Sequence, residues 1–351
     1  MSLSPENQRI LAIDVGMGTQ DILLYDRRGA SFKKIPENSL KMVLPSRTQI
    51  LAKRVIKGSG DLFFYGETMG GGPLARAISH RIEKGDPVMM TKSAAMTLRD
   101  DLREVEAMGV KIIDEPQNSQ CEKIETADID FDMIKSVFLE VGEEFDFDCI
   151  GVAVQDHGHE PGKSDRIFRF ENIKKVVKKG ATLKDFMYVK PPLHYRRMNG
   201  ALGTVKKAFS GKSFVVDTKI AAVSGALFGI KERPLLSIDV GNGHTMAAMI
   251  GEDDLILGMV EHHTDMLTRE SLGYLIERFT EGKLTNQEVY EDGGHGCYIR
   301  ENAPVKRALV TGPKRGLLTG LRLKIEQASP MGDVMMAGPT GIVSMAIKAS
   351  Q

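Results

Sequence analysis

Residues 10–26 read ILAIDVGMGTQDILLYD, and residues 235–251 read LLSIDVGNGHTMAAMIG. Each stretch is an apolar run, then Asp-Val-Gly-x-Gly, then a second apolar run. The runs are short and bounded by glycine, which predicts strands rather than helices. Each copy therefore reads as a β-hairpin closed by a glycine-rich turn. Asp14 and Asp239 stand at matching places in the two copies, far apart in the chain. That separation excludes a short-period solenoid and predicts two similar halves. For one copy, plain hairpin chemistry is a sufficient reading. Two copies, each opening a half-chain, point to a shared ligand. Such a turn brings backbone N–H groups close to a ligand with no side chain in the way, and it suits phosphate oxygens. An aspartate at the end of the preceding strand suits a hydrated magnesium ion. Two facing turns would clamp a polyphosphate from both sides.

Working outward from the first hairpin, 41–44 and 61–65 read as strands and 47–57 as a helix. Gly70-Gly71-Gly72-Pro73 precedes a helix at 74–84, with proline suited to the first turn. It is a turn, or an anion site at a helix start. Residues 94–108 read as one helix stopped by Gly109, 110–113 as a strand, 130–144 as a helix and 148–154 as a buried strand. Residues 155–195 are irregular and rich in Gly, Pro, Lys and His, a loop or insertion suited to carry a site. A helix at 196–209, a strand at 213–216 and a small-residue helix at 218–228 lead to the second hairpin. Beyond it come a strand at 254–260, a helix at 266–280 and a glycine-histidine loop at 291–296. Strands at 308–310 and 334–336, each followed by Gly-Pro, and a last helix at 341–349 complete the chain. Strands alternating with helices make this an α/β protein.

The 351 residues are enough for two domains or one large one. Their 47 basic and 47 acidic groups cancel, which argues against a nucleic-acid or membrane-surface binder. No apolar run approaches the roughly 20 residues of a membrane span. Residues 1–7 are polar and lack a signal-peptide core, so a cytoplasmic protein is the expectation. Cys121, Cys149 and Cys297 form no CxxC or CxxxCxxC motif, which argues against a radical iron–sulfur site. They read as buried thiols.

The two hairpins resemble the phosphate-1 and phosphate-2 elements of the ASKHA superfamily of sugar kinases, heat-shock chaperone ATPases and actin. Val215-Val216-Asp217-Thr218-Lys219-Ile220-Ala221-Ala222-Val223-Ser224-Gly225 is similar to the family's first connecting helix. Ala308-Leu309-Val310-Thr311-Gly312-Pro313 is similar to its adenosine motif, with Pro313 where a second glycine stands. Met336-Ala337-Gly338-Pro339-Thr340-Gly341 resembles its second connecting helix. Within the superfamily the chain also resembles a group labelled pyruvate formate-lyase activating proteins. The resemblance implies an α/β fold of two ribonuclease H-like domains, the duplicated actin-like ATPase fold, around a central cleft. One domain would span 1–217, with the irregular insertion near 155–195, and the other 218–351.

The resemblance also implies ATP and Mg2+ as cofactors. Asp14 and Asp239 would organise Mg2+. Gly16, Gly18, Thr19, Gly241, Gly243, His244 and Thr245 would meet phosphates, and Gly312 would lie near the nucleoside. In hexokinase-like members an Asn-Asp-Thr aspartate here is the general base; Asp217-Thr218 matches, with Val216 in place of Asn. Ile150 to Gly158 also looks like the Gly-Gln-Met-His-Gly stretch of FGGY carbohydrate kinases, with Asp156 in place of Met. Asp156 would then orient a substrate hydroxyl or act as base.

Three histidine-bearing stretches stand beside these elements. Gln155, His157 and His159 end a buried strand, where polar residues often face a ligand crevice. His157 and His159 with Glu160 form an alternative metal set. His262 and His263 end a second strand, and His295 lies in a loop. Thr264 or Asp265 alternatively caps the helix that follows. The leading expectation is phosphoryl transfer from ATP to a small hydroxyl-bearing metabolite. The alternatives are an ATPase switch or activator acting on a protein partner, and a metal-dependent hydrolase built on the histidines.

Overall fold

The computed structural model describes residues 8–28, 35–116, 120–319 and 323–350; the N-terminal stretch 1–7 lies outside them. The chain opens on β1 (Arg9–Val15) and β2 (Thr19–Asp26), an antiparallel pair, with β3 (Leu40–Pro45) beside β2. Helix α1 (Arg47–Lys57) leads to a small parallel sheet. Its elements are β4 (Leu62–Gly66), α2 (Gly72–Glu83), β5 (Val88–Met90), α3 (Lys92–Ala95), α4 (Leu102–Ala107), β6 (Lys111–Ile112) and β7 (Glu122–Thr126). The chain returns through α5 (Phe131–Glu140) to β8 (Cys149–Val154). It then runs by α6 (Asp165–Val177) and α7 (Arg196–Ala208) to β9 (Lys212–Val216). Helix α8 (Thr218–Ala226) crosses to the second half. There β10 (Leu235–Val240), β11 (His244–Ile250) and β12 (Ile256–His263) precede α9 (Arg269–Thr280), α10 (Asn286–Glu291) and β13 (Gly296–Ile299). The chain closes with β14 (Arg307–Thr311), β15 (Lys324–Gln327) and α11 (Ala337–Ser350).

The first large sheet has the order β3-β2-β1-β8-β9, and the second β13-β12-β11-β10-β14-β15. In each, three antiparallel strands are followed by two parallel ones. This is one ribonuclease H-like topology used twice, with β13 added to one edge and the small sheet inserted between β3 and β8. Strand alternation sorts the side chains. On β1, Ile10 and Ala12 face a core between the two sheets, while Leu11, Ile13 and Val15 face an outer core. On β11, Met246, Ala248 and Ile250 face the shared core, and Ala247 and Met249 the opposite one. Asp14 and Asp239 continue the inward-facing sets, so both end at the seam.

Helices α8 and α11 fill that seam. Every residue of α8 except Lys219 is buried, as a helix enclosed on all sides requires. The two helices cross backbone to backbone. A Cβ on Gly225 would lie 1.8 Å from the Ala337 carbonyl oxygen, and one on Gly341 would lie 1.8 Å from that of Ala221. Only glycine fits at either place.

Several local expectations change. The single helix expected at 94–108 is two, because the Asp101 carboxylate accepts from the Arg103 N–H and starts a new helix. The helix expected from Met266 begins after Thr268, whose side chain caps it. The strand expected at 334–336 is a short 3-10 turn that feeds α11. Pro339 sits in the first turn of α11, where a backbone N–H has no intrahelical partner to lose. Segment 155–195 is less irregular than its composition implies. It holds the 13 residues of α6, with Phe168, Phe170, Ile173 and Val177 buried, and Lys174, Lys175, Lys178 and Lys179 exposed. Strands β5, β7, β13 and β15 and helix α10 carry too weak a periodic signal to be expected. Among the described residues no helix is long and apolar enough to cross a membrane.

Candidate functional site

Both glycine turns close in the same way. The Gly16 N–H donates to the Thr19 carbonyl (2.8 Å), and the Gly241 N–H to the His244 carbonyl (3.0 Å). These two amides are therefore consumed by the turns. The tips, Met17-Gly18 and Asn242-Gly243, are what the turns present to a cleft of about 270 Å3. The cleft gathers Asp14, Gly16, Gly18, Thr19, Asp239, Gly241, Gly243, His244 and Gly312, all expected from sequence. It also holds Asp21, Lys219, Pro313, Met335 and Gly338, which were not. Thr245 is absent from its lining, because its neighbour on the strand points the other way. Its hydroxyl is buried against that of Thr264 at 2.9 Å.

The two aspartates meet different electrostatics. Asp239 Oδ2 lies 2.5 Å from the Lys219 ammonium. Burial alone would lower the Lys219 pKa; Asp239 reverses that and holds it above its ordinary value. Asp14 accepts a hydrogen bond from the Thr218 hydroxyl and forms no ion pair among the described residues, Lys219 acting on it only through its charge. Burial, then the charge of Asp21, pushes its pKa up to about 8. Burial likewise pushes Asp21 up to about 7. Asp21 Oδ1 is buried without a hydrogen-bond partner. Gly338 is what lets Asp14 sit here, since a Cβ on it would lie 1.8 Å from Asp14 Oδ2. Two buried carboxylates and an orphaned oxygen fit a divalent cation on the first hairpin. Asp239, already paired, fits that role less well than its sequence position implied.

A second cavity of about 470 Å3 lies between the small sheet and the ends of β8 and α7. Gln155 lines both it and the cleft. Arg166, Arg196, Arg197 and His157 also line it. Glycines 70–72 turn out to make room: the Gly70 N–H donates to Asp128 Oδ1, and a Cβ on Gly70 would lie 2.8 Å from Arg197. The two aspartates expected as bases hold structure. Asp156 accepts from the N–H groups of Gly158 (2.8 Å) and Met198 (3.0 Å), and burial raises its pKa. Asp217 caps α8 through the Lys219 N–H and receives both terminal nitrogens of Arg169, at 2.7 and 3.0 Å. Gln155, by contrast, keeps a buried amide nitrogen with no partner.

Arg169 also donates to both oxygens of the fully buried Glu261. Burial would raise the Glu261 carboxyl, but Arg169 overrides it and holds it well below the usual range. Glu261 in turn meets His244 Nδ1 at 3.1 Å. Above this carboxylate, His157, His244 and His295 bring ring nitrogens within 4.8 Å of one another. His263 lies beside them, its ring centre 4.6 Å from that of His295. Burial lowers the pKa of His157 well below its ordinary value and takes His295 down to about 3. Both shifts favour the neutral ring. His159 is elsewhere, 3.6 Å from Asp165, so the pairing of His157 with His159 is replaced. His262 points away from the cluster, with Nε2 3.3 Å from Asp292. Arg169 gave no sequence signal, being hidden in the stretch read as a loop. Asp21 did give one, since it shares a strand face with Thr19.

Two ribonuclease H-like sheets, each presenting an Asp-Val-Gly-x-Gly hairpin to a shared cleft, define the ASKHA class of fold. Solved structures similar to this chain include the Lmo2764 protein of Listeria monocytogenes, described as "a putative N-acetylmannosamine kinase". It is 10% identical, with 98% of this chain and 100% of that one covered and a TM-score of 0.38. The activator of the 2-hydroxyisocaproyl-CoA dehydratase from Clostridium difficile, with bound ADPNP, is 8% identical, with 97% and 95% covered and a TM-score of 0.38. Component A of the (R)-2-hydroxyglutaryl-CoA dehydratase of Acidaminococcus fermentans is 11% identical, with 98% and 99% covered and a TM-score of 0.34. Among curated proteins none matches this sequence. The family described as "Putative pyruvate format-lyase activating enzyme (DUF1786)" matches residues 69–317, and the chain belongs to that family.

Proposed function

We propose that this protein binds Mg2+-ATP between its two hairpins and transfers the terminal phosphoryl group to a small hydroxyl-bearing molecule in the adjoining cavity. The observation that carries this reading is the shared wall: the cleft between the turns meets the second cavity at Gln155. The turn tips at 17–18 and 242–243 would offer backbone N–H groups to the phosphates. A Cβ on Gly18 or Gly243 would meet nothing within 4 Å, so the approach to each tip is open. Gly312 and Pro313 would flank the nucleoside. Asp14 and Asp21 would hold Mg2+, which when bound neutralises charge on the transferred group. The unpartnered Gln155 amide would orient the acceptor oxygen. Such transfer depends on positioning and charge more than on a strong base, so the commitment of Asp156 and Asp217 to structure is no obstacle.

That same commitment favours a second reading, in which water is the acceptor and ATP cleavage drives an activator of a protein partner. Calorimetry with Mg2+-ATP tests the shared premise. Saturable binding that weakens at least tenfold in Asp14→Asn plus Asp21→Asn is expected; no binding by the unaltered protein would end both readings. A phosphorylation assay over a panel of small alcohols and sugars then separates them. Partner-stimulated hydrolysis with no phosphorylated product would select the second.

A further inference from the structure

We propose that His157, His244 and His295 bind a first-row divalent transition ion of the Zn2+ class, at the seam between the cleft and the second cavity. The three residues come from distant parts of the chain. His157 follows β8 in the first half, His244 opens β11 directly after the second glycine turn, and His295 precedes β13. The fold nevertheless brings their ring nitrogens within 4.8 Å of one another. Among the described residues this is the one group of three or more His, Cys, Asp or Glu so arranged.

The spacing suits an ion. Zinc–imidazole bonds are about 2.0–2.1 Å, so two ligand nitrogens of a tetrahedral site stand about 3.3 Å apart. His295 Nε2 and His157 Nε2 are 3.3 Å apart. His295 is 1% exposed, and its Nδ1 has no partner. Its Nε2 faces the Nε2 of His157, and a cation between the two rings would give both nitrogens a partner.

The surroundings point the same way. His244 Nδ1 lies 3.1 Å from Glu261 Oε1, and a proton held in that contact would leave Nε2 of the ring free to ligate. A carboxylate behind a ligating histidine is the usual outer support of a metal centre. Asp217 and Glu261 share the single guanidinium of Arg169, an excess of buried negative charge beside the rings. Imidazole nitrogens suit zinc, iron, nickel or cobalt rather than magnesium. Three protein ligands leave one coordination position open, toward an oxygen donor in the cavity that His157 lines.

The site stands independently of the nucleotide reading, because it is tested without nucleotide. Full-length protein purified without chelator is analysed for metals, then stripped and titrated with Co2+, whose visible bands report tetrahedral nitrogen coordination. One equivalent of bound ion and intense visible bands are expected. His244→Ala and His295→Ala should abolish the bands, and Glu261→Gln should weaken binding by about 10–100-fold. His157→Gln, placed on a loop beyond the Arg169 network, tests the site in a chain shown by circular dichroism to be folded. The proposal fails if the unaltered protein takes up no stoichiometric ion. It fails equally if folded His157→Gln binds Co2+ with unchanged affinity and spectrum.

Discussion

The two hairpins have the same turn and opposite electrical situations. On the second, the aspartate is neutralised by its own lysine and the turn leads into the histidine–glutamate cluster. On the first, Asp14 and Asp21 press two buried carboxylates together, with no ion pair to either among the described residues. The two copies thus share a backbone and differ in the charges around their aspartates. One copy carries its own counter-charge, and the proposed Mg2+ would supply it to the other.

The largest expected effect follows from that asymmetry. Above about pH 4 the unfolded chain has released the protons of Asp14 and Asp21, while the folded chain retains them to about 8 and about 7 respectively. Stability of the metal-free protein should therefore fall as pH rises from about 4 to about 8, by a few kcal/mol. Mg2+ should raise the melting temperature more at pH 8.5 than at pH 6. Asp14→Asn with Asp21→Asn should flatten both trends. A flat profile in the unaltered protein would remove the contrast between the hairpins.

Next in size is Asp239→Asn, which leaves the Lys219 ammonium buried without its partner. Urea unfolding should show a loss of about 3 kcal/mol, whereas Asp14→Asn in metal-free protein should gain stability at pH 8. Smaller again is Gly241→Ala. Its Cβ would lie 2.1 Å from Lys219 Nζ, against 3.3 Å from the Thr19 carbonyl for Gly16→Ala. Losses of about 1–3 kcal/mol and under about 1 kcal/mol are expected by the same measurement. Least of all is Met17→Asn, which makes the first tip resemble the second. Met17 is 58% exposed, so stability should move by less than about 0.5 kcal/mol. Any change in ATP affinity by calorimetry would then report on the tip itself.

What the sequence made legible was local. Both hairpins could be read because the apolar runs, the aspartate and the glycines all lie within one short window. The cleft residues followed from them, and so did α8, whose small residues announce a close crossing. The ion network could not be read. Arg169 and Glu261 are 92 positions apart, and each alone looks like an ordinary surface charge. Asp217 resembled a base for the same reason: its partner stands 48 positions away. The histidines were visible singly, but adjacency in sequence paired His157 with His159, whereas the fold pairs it with His244 and His295. The short strands β5 and β15 carry too few residues for a period to emerge.

The crossing at Gly225 and Gly341 has a mechanical meaning. Two backbones in contact, with no side chain between them, cannot slide past one another without driving carbonyl oxygens into peptide planes. Pivoting about the point of contact is the inexpensive motion left to the two halves. The crossing would then act as an axle, with groups at the mouth of the cleft on the ends of its arms. A small rotation at two glycines would become a larger displacement where the glycine turns face each other.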